Sequence, residues 1–263
     1  MVPLNISLIQ NELNIKTIGR EIRFWDKTDS TNELAKSCRN ESEGLVFLAE
    51  VQCHGRGRLR RSWYSPEGLG IYLSVLLKPK IALELLSQST LMAGVAVAEA
   101  IKPFLSNSKP FLKWPNDVIL NDRKLSGILC EYCPPENNAD GALIVGIGVN
   151  VNHQLQDFPK ELQSTATSLK MASHKRFERE TVIHSLLQCL DDEYDAFLND
   201  GSPTLIQKWS DRTNQFGKTV SLSYQDQVYT GTAIRLDEMG RLIMQLDNGE
   251  IIRFENGELI ESP

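Results

Sequence analysis

Long apolar runs are missing from this sequence. No stretch approaches the ~18 consecutive apolar residues of a membrane-spanning helix, and the first residues lack a basic start followed by an apolar stretch. Neither a membrane span nor a signal peptide is therefore expected, and the expected compartment is cytoplasmic. Cysteine is scarce and odd in number, five in 263 residues, which suits reduced thiols better than a disulfide framework. Cys130 and Cys133 have the spacing of half a zinc site, but no second Cys or His pair is placed to complete it, so no metal site is expected. Positive charge is not in excess: 28 Lys and Arg against 34 Asp and Glu leave a net charge of −6, which argues against general binding to nucleic acid or an anionic membrane. What remains is an ordinary composition, 41% hydrophobic and 24% charged, sufficient for one large domain and a small one. The pattern divides them at residues 1–212 and 213–263.

Against this background, Lys113 to Glu131 reads as a β-hairpin. Apolar and β-branched residues alternate on both sides of Asn121-Asp122, a pair that tolerates the turn conformations closing two antiparallel strands. A turn centred there sets positions summing to about 243 opposite one another, so Asp117 faces Ser126 and Ile119 faces Lys124. Asp117 and Lys124 then share one face as a diagonal pair, about 7–8 Å apart at the backbone. A lysine kept protonated beside an aspartate offers a fixed positive charge to a carboxylate or phosphate. The plainer alternative is a surface ion pair worth ~0–1 kcal/mol.

A second stretch, Gln52 to Trp63, places Arg56, Arg58, Arg60 and Arg61 within six residues of a net acidic chain. Gly55 and Gly57 let the backbone take left-handed conformations or approach a ligand closely, and guanidinium forks match carboxylate and phosphate oxygens in pairs. Read alone, this is an anion-binding loop, a solvated loop or a nucleic-acid patch. As an anion-binding loop it is expected to be mobile when empty and ordered by the ligand's charge.

Together and in this order, the two stretches resemble the biotin protein ligase family. That family carries Gly-Arg-Gly-Arg-x-Gly-Arg-x-Trp, then Lys-Trp-Pro-Asn-Asp, then Lys-x-x-Gly-Ile-Leu; here they stand as Gly55 to Trp63, Lys113 to Asp117 and Lys124 to Leu129. Asp29-Ser30-Thr31-Asn32 resembles the family's Ser-Thr-Asn turn and Gly146 to Asn152 its Gly-x-Gly-x-Asn strand. Arg60 departs from the pattern, standing where the family usually has a third loop glycine.

The resemblance implies an α+β fold: a mixed central sheet with packed helices, class II synthetase-like, as in biotin and lipoate ligases. It implies an ATP- and Mg²⁺-dependent, AMP-forming ligase that joins biotin to a lysine of biotin carboxyl carrier protein. Lys124, Asp117 and Arg58 become the catalytic candidates. Biotin would be bound by Ser30, Thr31, Asn32, Gln52, Arg56, Gly57, Arg58, Lys124 and Gly127, the hydroxyls and amide of the Ser-Thr-Asn turn meeting the neutral ureido ring. Read from the residues alone, Ser30 is a helix cap. Nucleotide contacts would come from Arg56, Arg58, Trp63, Asn116, Lys124, Asn150 and Asn152; Trp63 is either buried core or a plate over adenine or the apolar part of the ligand. Bifunctional members carry an additional N-terminal DNA-binding domain, and residues 1 to about 20 are too few for one, so a ligase only is expected, with no nucleic-acid or membrane partner. Relatives also allow a homodimer.

The rest reads as scaffold. Ile22–Trp25, Leu45–Val51, Gly70–Leu77 and Leu143–Val145 are expected strands. Glu84–Phe104, Glu178–Leu198 and Pro203–Trp209 are expected helices, with loop and helix at Leu155–Met171 over the site rim. Gly146 and Gly148 alone suggest a bulge where backbones approach. From Phe216, four short strands (Lys218–Leu222, Gln227–Ile234, Arg241–Leu246, Glu250–Phe254) separated by Glu238-Met239-Gly240 and Asp247-Asn248-Gly249 turns read as a small barrel. It resembles the family's C-terminal Src-homology-3-like domain, which has no catalytic motif. The rival readings are a lipoate ligase or octanoyltransferase, separated by the Gly-Arg-Gly-Arg loop and Lys-Trp-Pro-Asn-Asp, and a nucleic-acid-binding module, opposed by the acidic balance.

Overall fold

The computed structural model describes residues 4–11, 13–106, 108–136 and 140–260. A short helix α1 (Ile6–Gln10) leads into β1 (Ile22–Thr28), α2 (Thr31–Ser37), β2 (Val46–Gln52), β3 (Gly70–Leu77) and α3 (Gln88–Ile101). Four strands follow, β4 (Phe111–Lys113), β5 (Asp117–Leu120), β6 (Arg123–Cys133) and β7 (Ala142–Asn150), then α4 (Leu169–Ser173) and α5 (Arg179–Ser210). The chain ends in β8 (Thr219–Tyr224), β9 (Gln227–Leu236), β10 (Leu242–Leu246), β11 (Ile251–Phe254) and β12 (Glu258–Ile260). Strands β4 and β12, three residues each, are too short to show a period and were not foreseen.

Strands β1 to β7 form one mixed sheet in the order β1-β2-β3-β7-β6-β5-β4, parallel at β1–β2 and antiparallel elsewhere. The two-residue period of a strand decides how its faces are dressed. On β7, Leu143, Val145, Ile147 and Val149 join the main core with α3 and α5, while Ile144 packs with Phe47, Leu76 and Ala35 beside α2. Gly146, Gly148 and Asn150 continue that second face toward the chain's large cavity.

Small residues bring α3 onto its neighbours. A Cβ on Gly94 would lie 3.6 Å from Leu112 and 4.0 Å from the Trp209 indole nitrogen, so the helix already sits at contact distance. Single 3-10 turns at Leu83–Leu85 and Lys102–Phe104 flank it, where the sequence reading extended the α-helix. The two expected C-terminal helices are the halves of α5, broken at Gly201 (φ +74°), with Pro203 in the first turn of the second half.

The five C-terminal strands form an antiparallel sheet in the order β11-β10-β9-β8-β12. Among the described residues the outer strands β11 and β12 do not pair, so the small all-β unit is an open sheet rather than a barrel closed by hydrogen bonds. It is docked by backbone acceptors: Gly240 O accepts from Trp114 Nε1 (3.1 Å) and Glu238 O from Gln88 Nε2 (3.0 Å). No helix among the described residues is long and apolar enough to cross a membrane.

Candidate active site

Asn121 and Asp122 both adopt left-handed conformations (φ +51° and +59°) and close the β5–β6 hairpin as expected. The register is as expected only near the turn, where Ile119 faces Lys124. Leu125 then forms a bulge, so Val118 faces Ser126 and Asp117 faces Gly127 instead of Ser126. The one-residue shift reshapes the site. In an unbroken ladder Gly127 and Lys124 would lie on opposite faces; the bulge puts both beside Asp117. A Cβ on Gly127 would lie 3.1 Å from Lys124 Cε and 3.0 Å from the Trp63 ring, so the bare backbone there makes room for both side chains.

Lys124 is held through its backbone. Its N–H donates to Thr165 O (2.7 Å) and its carbonyl accepts from Thr167 N–H (2.9 Å), tying the rim segment to the hairpin. Its Nζ stands 2.6 Å from Asp117 Oδ1 and 5.7 Å from the centre of a Trp63 ring. The ammonium approaches Asp117 off the hydrogen-bonding direction, and among the described residues this buried Oδ1 makes no hydrogen bond.

The Ser-Thr-Asn turn opens α2. Ser30 stands at the N-cap position, but its side chain makes no capping bond, which corrects the cap reading. Thr31 is fixed by Gln52: its N–H (2.9 Å) and hydroxyl (3.1 Å) both donate to Gln52 Oε1, while Gln52 Nε2 donates to Ser65 Oγ (2.9 Å). The Ser74 hydroxyl lies 2.6 Å from Asn32 Oδ1 and 2.8 Å from Thr31 Oγ1, and Asn32 Nδ2 donates to Glu131 (2.8 Å) and to Leu129 O (3.2 Å). Gly146 and Gly148 are not a bulge; β7 pairs without interruption on both sides. They clear space for side chains: a Cβ would fall 2.0 Å from Asn32 Oδ1 at Gly146 and 2.3 Å from the Trp63 indole at Gly148.

The arginine loop is a small hairpin in which Trp63 N–H donates to Gly55 O (2.8 Å) and Gly57 N–H to Arg61 O (2.7 Å). Gly55 serves close approach, since a Cβ there would meet Trp63 O at 2.4 Å. The left-handed positions belong to Leu59 (φ +52°) and Arg60 (φ +61°), not to the glycines. The protein's own acceptors also reach the loop. Arg56 pairs with Glu33 and Glu131, Arg61 with Glu258, and Arg58 donates to Asn116 Oδ1 (3.1 Å) and Gly257 O (3.1 Å). Burial lowers the Arg58 pKa from its ordinary value, against the opposing charges of Asp117 and Glu258. Burial also pushes the Glu131 carboxyl up, but hydrogen bonds from Asn32 and Lys36 with the charges of Lys36 and Arg56 outweigh it and hold the pKa low.

These elements wall a cavity of about 460 Å³. Lys124, Asp117, Arg58, Ser30, Thr31, Asn32, Gln52, Arg56, Gly57, Gly127, Trp63, Asn116 and Asn150 all line it. Asn152 is not among them: its amide is held by Phe177, donating to the carbonyl (2.9 Å) and accepting from the N–H (3.0 Å), where a ligand contact is expected from the sequence. The sequence reading missed Tyr64, Phe158, Glu258 and Leu259, which also line the wall. Tyr64 adjoined a recognised motif, whereas β12 gave no signal. The five cysteines are free, and among the described residues no three His, Cys, Asp or Glu side chains gather as a metal cage.

A mixed sheet presenting an arginine hairpin and a lysine–aspartate pair to one cavity defines a class that comparison with known proteins identifies. The profile of the Biotin/lipoate A/B protein ligase family matches residues 23–150. The bifunctional ligase/repressor BirA of Bacillus spizizenii is 34% identical over 248 residues, 94% of this chain and 76% of that protein. The biotin–[acetyl-CoA-carboxylase] ligase of Mycobacterium tuberculosis is 29% identical, over 89% of this chain and 86% of its own length. Among solved structures, the Aquifex aeolicus biotin protein ligase in complex with biotin and ATP superposes with a TM-score of 0.78 at 32% identity, covering 92% of this chain and 98% of that one. The chain belongs to the Biotin/lipoate A/B protein ligase family, and within it to the biotin protein ligases.

Proposed function

We propose that this cavity makes biotinyl-5′-AMP from biotin and ATP and passes the biotin to a lysine of biotin carboxyl carrier protein. The observation that carries the reading is the meeting, in one cavity, of a polar turn suited to a neutral head group, an arginine hairpin and the Lys124–Asp117 pair. A carboxylate is a poor electrophile until one of its oxygens sits on a good leaving group. In the first half-reaction a biotin carboxylate oxygen attacks the α-phosphorus of ATP, the bond to the β-phosphate oxygen breaks, and pyrophosphate leaves. Lys124 and Arg58 offset the repulsion between the two anions and the charge developing at phosphorus. Arg56 reaches the anions only by leaving Glu33 and Glu131. In the second half-reaction a neutral lysine amine attacks the acyl carbon, an amide forms, AMP leaves, and the amine's proton passes to Asp117.

Ser30, Thr31, Asn32 and Gln52 take the ureido ring, and Trp63, Asn116 and Asn150 the nucleotide. Magnesium would come in with ATP and offset the charge of its phosphates, a role that needs at most one or two protein carboxylates. The catalytic unit spans residues 1–212 and the small sheet 213–263; a cytoplasmic site of action and a homodimer belong to the same proposal, the dimer being tested by sedimentation. Isothermal titration with biotin, lipoate and octanoate, then with MgATP, tests the reading. Heat with biotin alone, followed by biotinylation of the carrier protein, is the expected result. Heat only with lipoate or octanoate would move the chain to the other branch of its family.

A further inference from the structure

We propose that Glu131 is a positioning residue that couples the biotin-head turn to the arginine hairpin, so that filling one orders the other. The inference deepens the proposed function and rests on it. Glu131 is mostly buried on the cavity-facing side of β6, and its carboxylate bonds both elements. Oε2 accepts from Asn32 Nδ2 (2.8 Å) and, at 3.4 Å, from Arg56 Nη1; Oε1 accepts from Arg56 Nη2 (2.9 Å) and from Lys36 Nζ (2.7 Å). Glu33, on α2 itself, is the second carboxylate on Arg56, and Glu131 is the one that also holds the Asn32 amide.

The consequences are specific. With Nδ2 bound to Glu131 and to the Leu129 carbonyl, the Asn32 amide cannot flip, because the flipped oxygen would face two acceptors. Its donors are used, so Asn32 meets a ligand only as an acceptor, through Oδ1, which suits a ring N–H. On the other side, Arg56 is the first arginine of the hairpin, and its hold on Glu131 and Glu33 fixes the strand leading to Arg58. Glu33 and Lys36 lie on α2, the helix that begins with the Ser-Thr-Asn turn, so a shift of that turn on biotin binding reaches Arg56 through a carboxylate network rather than through the sheet. Such a network has two biased ends and a shared acceptor, the physical requirement for coupling between sites.

The test is Glu131→Gln, which keeps shape and an oxygen for Asn32 but removes the one of Arg56's two carboxylate partners that is shared with Asn32. The parent and variant are each measured for biotin affinity, for tryptic cleavage of the hairpin with and without biotin, and for dissociation of biotinyl-AMP after its synthesis in place. The expected result is near-parental biotin affinity, loss of biotin's protection of the hairpin, and adenylate release faster by about tenfold. If the glutamine variant folds poorly, Glu131→Asp, which keeps the charge but withdraws it by one methylene, is expected to weaken both contacts and so to lower biotin's protection of the hairpin. Parental protection and parental adenylate release in a folded variant would overturn the coupling, as would an equal loss of biotin affinity and adenylate retention. A parent that makes no biotinyl-AMP would sink the underlying ligase reading instead.

Discussion

Lys124 and Asp117 touch at 2.6 Å, yet their proposed tasks fall in different half-reactions, and substitution separates them. Lys124→Ala is expected to slow adenylate formation by about 10²–10³-fold, the usual effect of removing one donor that stabilises a charged transition state. Pyrophosphate release under single-turnover conditions reads it. Asp117→Asn is expected to leave adenylate formation within reach of the parent and slow transfer to the carrier protein by about 10²-fold or more. Equal loss in both steps would remove the proton-accepting role. At Gly148 the requirement is space: the alanine methyl would overlap the Trp63 indole at 2.3 Å, so Gly148→Ala is expected to cost about 1–3 kcal/mol of stability and displace Trp63 from the wall. Trp63 fluorescence and denaturant melts together measure this. The lysine, the aspartate and the glycine were all legible as residues. Why Gly127 joins them was not, because the Leu125 bulge depends on how the hairpin sits between β4 and β7.

The arginine hairpin is where element and motif diverge. Its sequence reads as a loop waiting for an anion, whereas its geometry is that of a hairpin fastened by Glu33, Glu131 and Glu258. Charge composition cannot reveal this, since those three glutamates are spread over some two hundred positions and meet only in the fold. The β12 contact gives an element-scale prediction. Glu258→Lys sets a cation against Arg61; because Arg61 is 66% exposed, the effect on global stability is expected to be at most ~1 kcal/mol. The Michaelis constant for ATP is expected to rise roughly fivefold, and combining Arg61→Glu with Glu258→Arg to restore it. Steady-state kinetics of the two variants decide whether β12 acts on the site or merely adjoins it.

For the molecule as a whole, acid stability carries a signature from His153. Its ring is fully buried, stacked on Phe158 with centroids 4.7 Å apart, and among the described residues neither nitrogen has a partner. Burial lowers its pKa from 6.5 to about 4, against the opposing charge of Asp157. The unfolded chain therefore binds a proton near pH 6.5 that the folded chain refuses until about pH 4. Stability from this group is complete above the higher value and is lost as pH falls through the window, by about 2–3 kcal/mol. Thermal melts from pH 7 to 4 are expected to show that loss, and His153→Leu to flatten it relative to the parent. Unchanged pH dependence in the variant would place the acid sensitivity elsewhere.

By itself the sequence determined the class of chemistry and most of the elements that carry it. Local features encode these: Asn121-Asp122 for a turn, glycine and arginine for a loop suited to an anion, two-residue and helical periods for strands and helices. Thirteen of the fourteen expected site residues line one cavity; the exception, Asn152, is spent on Phe177, a partner 25 positions away. Tertiary structure alone decided that exception, the register beyond the bulge, the open edge of the C-terminal sheet and its β12 wall, and the sharing of Glu131 between two elements. Each depends on which distant groups arrive at the same buried donor or acceptor, and hydrogen-bond satisfaction of that kind is a property of the packed molecule.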